Sequence, residues 1–144
     1  MTNEKKNTPH LPPIGFVLHR TARAVTAAFE RHLFDGDSSL SVWMVLLAIH
    51  QSPMAQNQIT EFVDLRGPTL THHLNAMEKK GLIQRKRSPT DGRVHVVSIT
   101  PSGHKKFLEL RTKANRFDVH LRKALTPQEL DQLRSLLGQI DSGL

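Results

Sequence analysis

Residues 67–99 read GPTLTHHLNAMEKKGLIQRKRSPTDGRVHVVSI, and the change of period inside this stretch decides the fold. Its first part is helical: Leu70, Leu74 and Met77 recur at i, i+4 and i+7, the spacing of one helix face. Pro68 suits the first helical position, where its missing N–H costs nothing, and Gly81 is a natural stop after Lys79-Lys80. The period then changes. Residues 82–87 read as a strand, Ser88-Pro89-Thr90-Asp91-Gly92 as a turn, and residues 93–99 as a returning strand rich in β-branched side chains. A helix thus runs into a β-hairpin with a basic, projecting tip.

Upstream, Leu65-Arg66-Gly67 reads as a tight connection from a short third helix near residues 57–64, whose Ile59, Phe62 and Val63 point inward. Ser52-Pro53 separates that helix from a second one over residues 42–50, with Ser39 and Ser41 as candidate N-caps. This second helix is apolar nearly all round, as a buried helix is. Asp35-Gly36-Asp37-Ser38 is turn chemistry, ending a first amphipathic helix that begins at Pro12 or Pro13. Residues 1–11 have little to bury and read as a disordered arm. Downstream, Thr100-Pro101 opens a long helix reaching about residue 123. Its apolar face is Phe107, Leu108, Leu110, Ala114, Phe117 and Leu121. Thr126-Pro127-Gln128-Glu129 is a capping box for a last helix lined by Leu130, Leu133, Leu136, Leu137 and Ile140.

The 144 residues suit one compact unit. Twenty Lys and Arg against 13 acids give a formal charge of +7, a balance that favours a polyanionic partner. The charge is not spread evenly. Between Arg66 and His95 stand seven bases (Arg66, Lys79, Lys80, Arg85, Lys86, Arg87 and Arg93) and two acids, so this stretch holds five of the seven net charges. The absence of cysteine excludes disulfides, thiolate nucleophiles and Cys-type zinc sites. No apolar run spans a bilayer and the N-terminus lacks a signal-peptide pattern, so a cytoplasmic protein without a membrane partner is expected.

Two short helices joined by a tight turn and followed by a hairpin form a winged helix-turn-helix. The fourth helix divides its labour accordingly: the Leu70–Leu74–Met77 stripe faces the core, leaving Thr69, Thr71, His72, His73 and Asn75 outward or at the flank for base edges and phosphates. Arg66, Lys79, Lys80, Arg85 and Arg87 are candidate phosphate contacts. Arg93, at the hairpin tip, is placed to enter a minor groove, with Asp91 orienting its guanidinium by a bidentate pair.

These residues resemble the MarR (multiple antibiotic resistance) family of regulators. Gly67-Pro68-Thr69-Leu70-Thr71-His72-His73-Leu74, leading to Met77-Glu78-Lys79-Lys80-Gly81-Leu82-Ile83, is similar to that family's recognition helix and its exit. Asp91-Gly92-Arg93 resembles its Asp-x-Arg wing, Thr100 and Gly103 the opening of its fifth helix, and Ser39-Leu40-Ser41-Val42-Trp43 the start of its second. The resemblance covers residues 13–140. It implies a mainly α fold with a small β-hairpin wing, that is, a winged helix-turn-helix over residues 37–99 and a helical dimerisation region over residues 12–36 and 100–144. It implies a homodimer built from the first, fifth and sixth helices, with two reading helices about 34 Å apart on a pseudo-palindromic double-stranded DNA operator. It also implies a repressor released by a small aromatic acid bound between the dimer arm and the winged domain. The chain departs from the family at His72 and Ala76, where Arg is frequent, and at His73, where an apolar residue is usual. The family's operator therefore does not transfer.

His19, Arg23, Trp43 and His50 are candidate effector ligands: His and Arg for a carboxylate, Trp43 for stacking on a ring. The alternative is that Trp43 is plain core and the others lie on the surface. His72 and His73 are adjacent and diverge on a helix, a poor chelating pair, so neither a metal nor any other cofactor is expected. There is no Gly-rich phosphate loop, Ser elbow or His-x-x-x-His motif, so no catalytic residue is assigned. A protein–protein adaptor dimer without DNA binding is the alternative reading, and a small enzyme a further one.

Overall fold

A computed structural model describes residues 11–33 and 39–144. The disordered arm expected over residues 1–11, apart from Leu11, and the expected turn Asp35–Ser38 lie outside the described residues. Three of the helices begin where a side chain takes up their free amides. Ser39 accepts from the Val42 N–H at 3.2 Å and starts α2 (Leu40–Ile49), which follows α1 (Ile14–Leu33). After α2 come β1 (Met54–Ala55), α3 (Gln56–Val63), α4 (Gly67–Lys79), β2 (Ile83–Arg87) and β3 (His95–Ile99). Thr100 then caps α5 (Pro101–Arg122) by accepting from the Gly103 N–H at 3.0 Å. The capping box read at Thr126 and Glu129 forms at the start of α6 (Pro127–Ser142), its two hydrogen bonds 2.7 and 3.3 Å long. The protein is mostly helical with a small antiparallel sheet, a winged helix-turn-helix.

The core forms around α2, as its nearly all-apolar sequence demands. Trp43, Val45, Leu46 and Ile49 are buried there, against Ile59 of α3, the Leu70–Leu74–Met77 stripe of α4, Ile83 of β2 and Val97 of β3. Phe107 of α5 closes the top, stacked on Trp43 at 5.6 Å and on His50 at 4.4 Å. Helix α1 packs along α5 through Phe29 and Phe117, whose rings are 5.1 Å apart. Helix α6 buries nothing: Leu133, Leu136, Leu137 and Ile140 all lie exposed. No helix among the described residues is long and apolar enough to cross a membrane.

Four local expectations are corrected. Phe62 of α3, expected inward with Ile59 and Val63, lies exposed, and only the other two are buried. The sheet has three strands in the order β1-β3-β2, because Met54 and Ala55 pair with Val97 and Val96. Two residues carry no readable period, so this strand is invisible before the fold brings β3 beside it. The returning strand starts at His95, not at residue 93; the loop is held by Ser88 N–H on the Val94 carbonyl (2.8 Å) and Val94 N–H on the Asp91 carbonyl (3.0 Å). Finally, the glycine in the helix-turn-helix connection is not what bends it. Gly67 is already the first residue of α4, and Asp64 takes the left-handed conformation with φ 50°.

Candidate nucleic-acid interface

The inward stripe of α4 fixes what the helix presents. Thr69, His72 and Asn75, spaced i, i+3 and i+6, form an exposed row on its outer side, with Ala76 beside them. His73 is half-buried, its ring 5.9 Å from that of His72. Arg66 is the exposed N-cap residue, and Lys79 lies exposed at the far end.

Thr71 sits lower on the flank. Its hydroxyl donates to the Gly67 carbonyl at 3.0 Å and accepts from the Gln56 side-chain amide at 2.9 Å. Thr71 thus braces α4 against the start of α3. Gln56 had no signal in the sequence, since the contact joins residues that only the turn at Asp64 brings together.

Two further devices set the angle of α4. The first sits at its exit. Gly81 has φ +73°, and its carbonyl accepts from the Thr100 hydroxyl at 2.6 Å, while the Leu82 carbonyl accepts from the Thr100 N–H at 3.1 Å. Gly103 packs so closely that a Cβ there would lie 1.9 Å from the Leu82 carbonyl oxygen. The long helix α5 is thereby latched to the end of α4.

The second device is an ion pair. Register places Ile83, Arg85 and Arg87 on one face of β2, opposite Ile99, Val97 and His95. Ile83 and Val97 are buried, so Arg85 starts from the edge of the core, and its side chain is only 19% exposed. Glu78 on α4 answers it: Oε1 accepts the Arg85 backbone N–H at 3.0 Å, and Oε2 accepts from Nε at 3.1 Å and Nη2 at 2.7 Å. The Arg85 side-chain hydrogen bonds, above all, hold the Glu78 carboxyl below its ordinary value. Nη2 also donates to Oδ1 of Asn75 at 2.5 Å. Arg85, read as a phosphate contact, is engaged with α4.

At the wing, Arg87, Asp91 and Arg93 are exposed. The expected Asp91–guanidinium pair gives way to an Asx-turn: Asp91 Oδ1 accepts the backbone N–H of Arg93 at 3.0 Å. Asp91 shapes the loop and leaves the Arg93 guanidinium to the outside. Arg93 borders a concavity with Gln56, Asn57, Val94 and His95, between the start of α3 and the wing.

The four effector candidates fall into two pairs, one on α2 and one on α1. Trp43 is 8% exposed and His50 half-buried, and both spend their rings on Phe107. His50 Nδ1 also lies 2.6 Å from the Leu47 carbonyl. His19 and Arg23 lie exposed on α1. The cleft between α1 and α5 is lined instead by Ala24, Val25, Ala28, Arg31, His32, Phe117, His120 and Leu121, with a volume of about 480 Å³. No cluster of three His, Asp or Glu that could hold a metal occurs among the described residues.

A reading helix with an exposed polar row, a basic wing beside it and a helix latched to both define a winged helix-turn-helix DNA-binding protein. Residues 38–94 match the MarR family. A probable transcriptional regulator from Pseudomonas aeruginosa superposes with a TM-score of 0.77 at 29% identity, over 89% of this chain and 96% of its own. The transcriptional repressor CouR, bound to a 23-mer DNA duplex, gives 0.81 at 27% identity, over 90% of this chain and 92% of its own. BpsR of Bordetella bronchiseptica, whose DNA binding is regulated by 6-hydroxynicotinic acid, gives 0.81 at 20% identity, over 89% and 98% of the two chains, and shares the fold. The protein is a DNA-binding transcriptional regulator, not an enzyme, and its match to the MarR family covers residues 38–94.

Proposed function

We propose that the chain is a cytoplasmic homodimeric repressor. Two copies pair through α1, α5 and α6 and set their α4 helices about 34 Å apart in successive major grooves of a pseudo-palindromic operator. Thr69, His72, His73 and Asn75 face the bases; Arg66, Lys79 and Arg87 take phosphates; Arg93 enters the minor groove. Thr71, Arg85 and Asp91 hold the reading surfaces in place.

The observation that carries this reading is the exposed row on α4 beside a wing on which Arg93 is exposed and Asp91 bonds the Arg93 backbone N–H. For the dimer, the support is α6, which buries none of its residues and carries four large apolar side chains in the open.

A small aromatic carboxylate would release the operator by favouring a dimer whose reading helices are misplaced. The α1–α5 cleft has the chemistry for it, with Arg31, His32, His120 and Phe117 in its lining. The repressor CouR and the ligand-regulated BpsR are precedents for the two halves of this reading.

The test is fluorescence anisotropy with DNA from upstream of the protein's own gene, at two salt concentrations and against unrelated competitor. Tight binding that falls steeply with salt and survives the competitor is expected. Binding that the competitor abolishes, there and on flanking promoter DNA, would overturn the operator reading. A panel of benzoic and nicotinic acids is then added; the effector reading predicts release, and a panel that neither binds nor shifts affinity removes it.

A further inference from the structure

The Glu78–Arg85–Asn75 network does more than position α4. A guanidinium has donors and no acceptor, so the Asn75 group that faces Nη2 at 2.5 Å must be its carbonyl oxygen. Glu78 Oε2 holds the Nε–Nη2 edge of that guanidinium, so Arg85 cannot follow if the amide turns over. A flip of Asn75 would set its NH2 against a cation and forfeit a charge-assisted hydrogen bond. The carboxamide of Asn75 is thus a locked group: oxygen inward, NH2 outward. It stands in the same exposed row as Thr69 and His72.

An asparagine pairs with adenine by using both ends of its amide, accepting from N6 and donating to N7. With its oxygen turned to Arg85, Asn75 presents its NH2 donors outward. Guanine presents two adjacent acceptors in the major groove, N7 and O6. We propose that Asn75 is a donor-only reader that selects guanine and rejects adenine, and that Arg85 sets this preference without touching a base. The proposal rests on the reading above, in which α4 lies in the major groove. The neighbouring positive charge also polarises the amide and strengthens its N–H donors.

The experiment selects duplexes from random-sequence DNA with the full-length protein and three variants. The wild type should fix a guanine in each half-site, and replacing it by adenine should cost roughly tenfold or more in affinity. Asn75→Ala should flatten the preference at that position alone. Asn75→Asp keeps a partner for Arg85 but turns an acceptor outward, and should exchange the guanine for cytosine, whose N4 donates. Arg85→Met frees the amide and should admit adenine; circular dichroism checks its fold, and Asn75→Asp decides the matter if that variant fails to fold. An adenine fixed by the wild type at the Asn75-dependent position, or a folded Arg85→Met that still demands guanine, overturns the proposal. If the wild type selects a site that Asn75→Ala leaves unchanged, the regulator reading stands and this assignment falls. If the wild type selects no sequence, both fall together.

Discussion

From α2 to β3, with Phe107 of α5 on top, the chain closes its own core; over α6 it closes nothing. Both regions carry leucines at helical spacing. In α4 the stripe Leu70, Leu74 and Met77 is fully covered by α2, α3 and β2, whereas in α6 Leu133, Leu136, Leu137 and Ile140 stay open. The same pattern therefore has two meanings. Within the winged unit it marks a face met by the chain itself, and at the terminal helix it marks a face that awaits another surface. A row of large apolar side chains left in water is what a soluble protein avoids unless the face is used.

The first way to break this comparison is to charge the open face. Leu136→Asp combined with Leu137→Asp should weaken self-association roughly 1000-fold, about 4 kcal/mol, turning a micromolar dimer into a monomer by sedimentation velocity. The cooperative melt of the winged unit should survive. A double variant that still sediments as a dimer would show that α6 is not the contact.

Next in size is the latch between the regions. Gly103→Ala forces a methyl group onto the Leu82 carbonyl, a backbone atom that cannot swing aside. It should lower stability by roughly 3 kcal/mol in thermal unfolding. A loss under about 0.5 kcal/mol would mean that α5 can move away from the exit of α4, and the coupling between the two regions would be loose.

A smaller effect belongs to the wing. Arg93→Ala should reduce operator affinity by about 2 kcal/mol, roughly thirtyfold, in fluorescence anisotropy, with the dimer intact because the loop is exposed. Unchanged affinity would remove Arg93 from the interface.

The smallest concerns Glu78. Its folded carboxyl titrates below its ordinary value of 4.5, through the Arg85 hydrogen bonds first, with the charges of Arg85 and His95 adding. Such a group stabilises the fold fully above the unfolded value and loses that contribution as pH falls through the folded one. Glu78→Gln should thus cost about 1 kcal/mol or less at neutral pH, given that the pair is partly solvated. Its stability should also fall less than the wild type's between pH 5 and pH 3. Parallel acid limbs in the two proteins would place the titrating carboxylates elsewhere, for instance at Glu129, which its own capping hydrogen bonds from Thr126 also hold low.

What one dimension determined was everything local. Periodicity placed the helices, because a face is written at i, i+3 and i+4. Capping chemistry placed the starts of α2, α5 and α6, since Ser39, Thr100 and Thr126 bond to amides only three residues on. The basic stretch from Arg66 to His95 marked the candidate interface, because charge density needs no fold to be counted. The tertiary structure decided what depends on distant neighbours. Strand β1 exists only because β3 comes beside it. Arg85 looked like one more phosphate ligand until register put it on the inward face of β2, within reach of Glu78 and Asn75. Trp43 and His50 share a stacking partner, Phe107, that only the arrival of α5 brings to them. A sequence records what a residue can bond to; which bond it makes is settled by the partners that folding brings to within 3 Å of it.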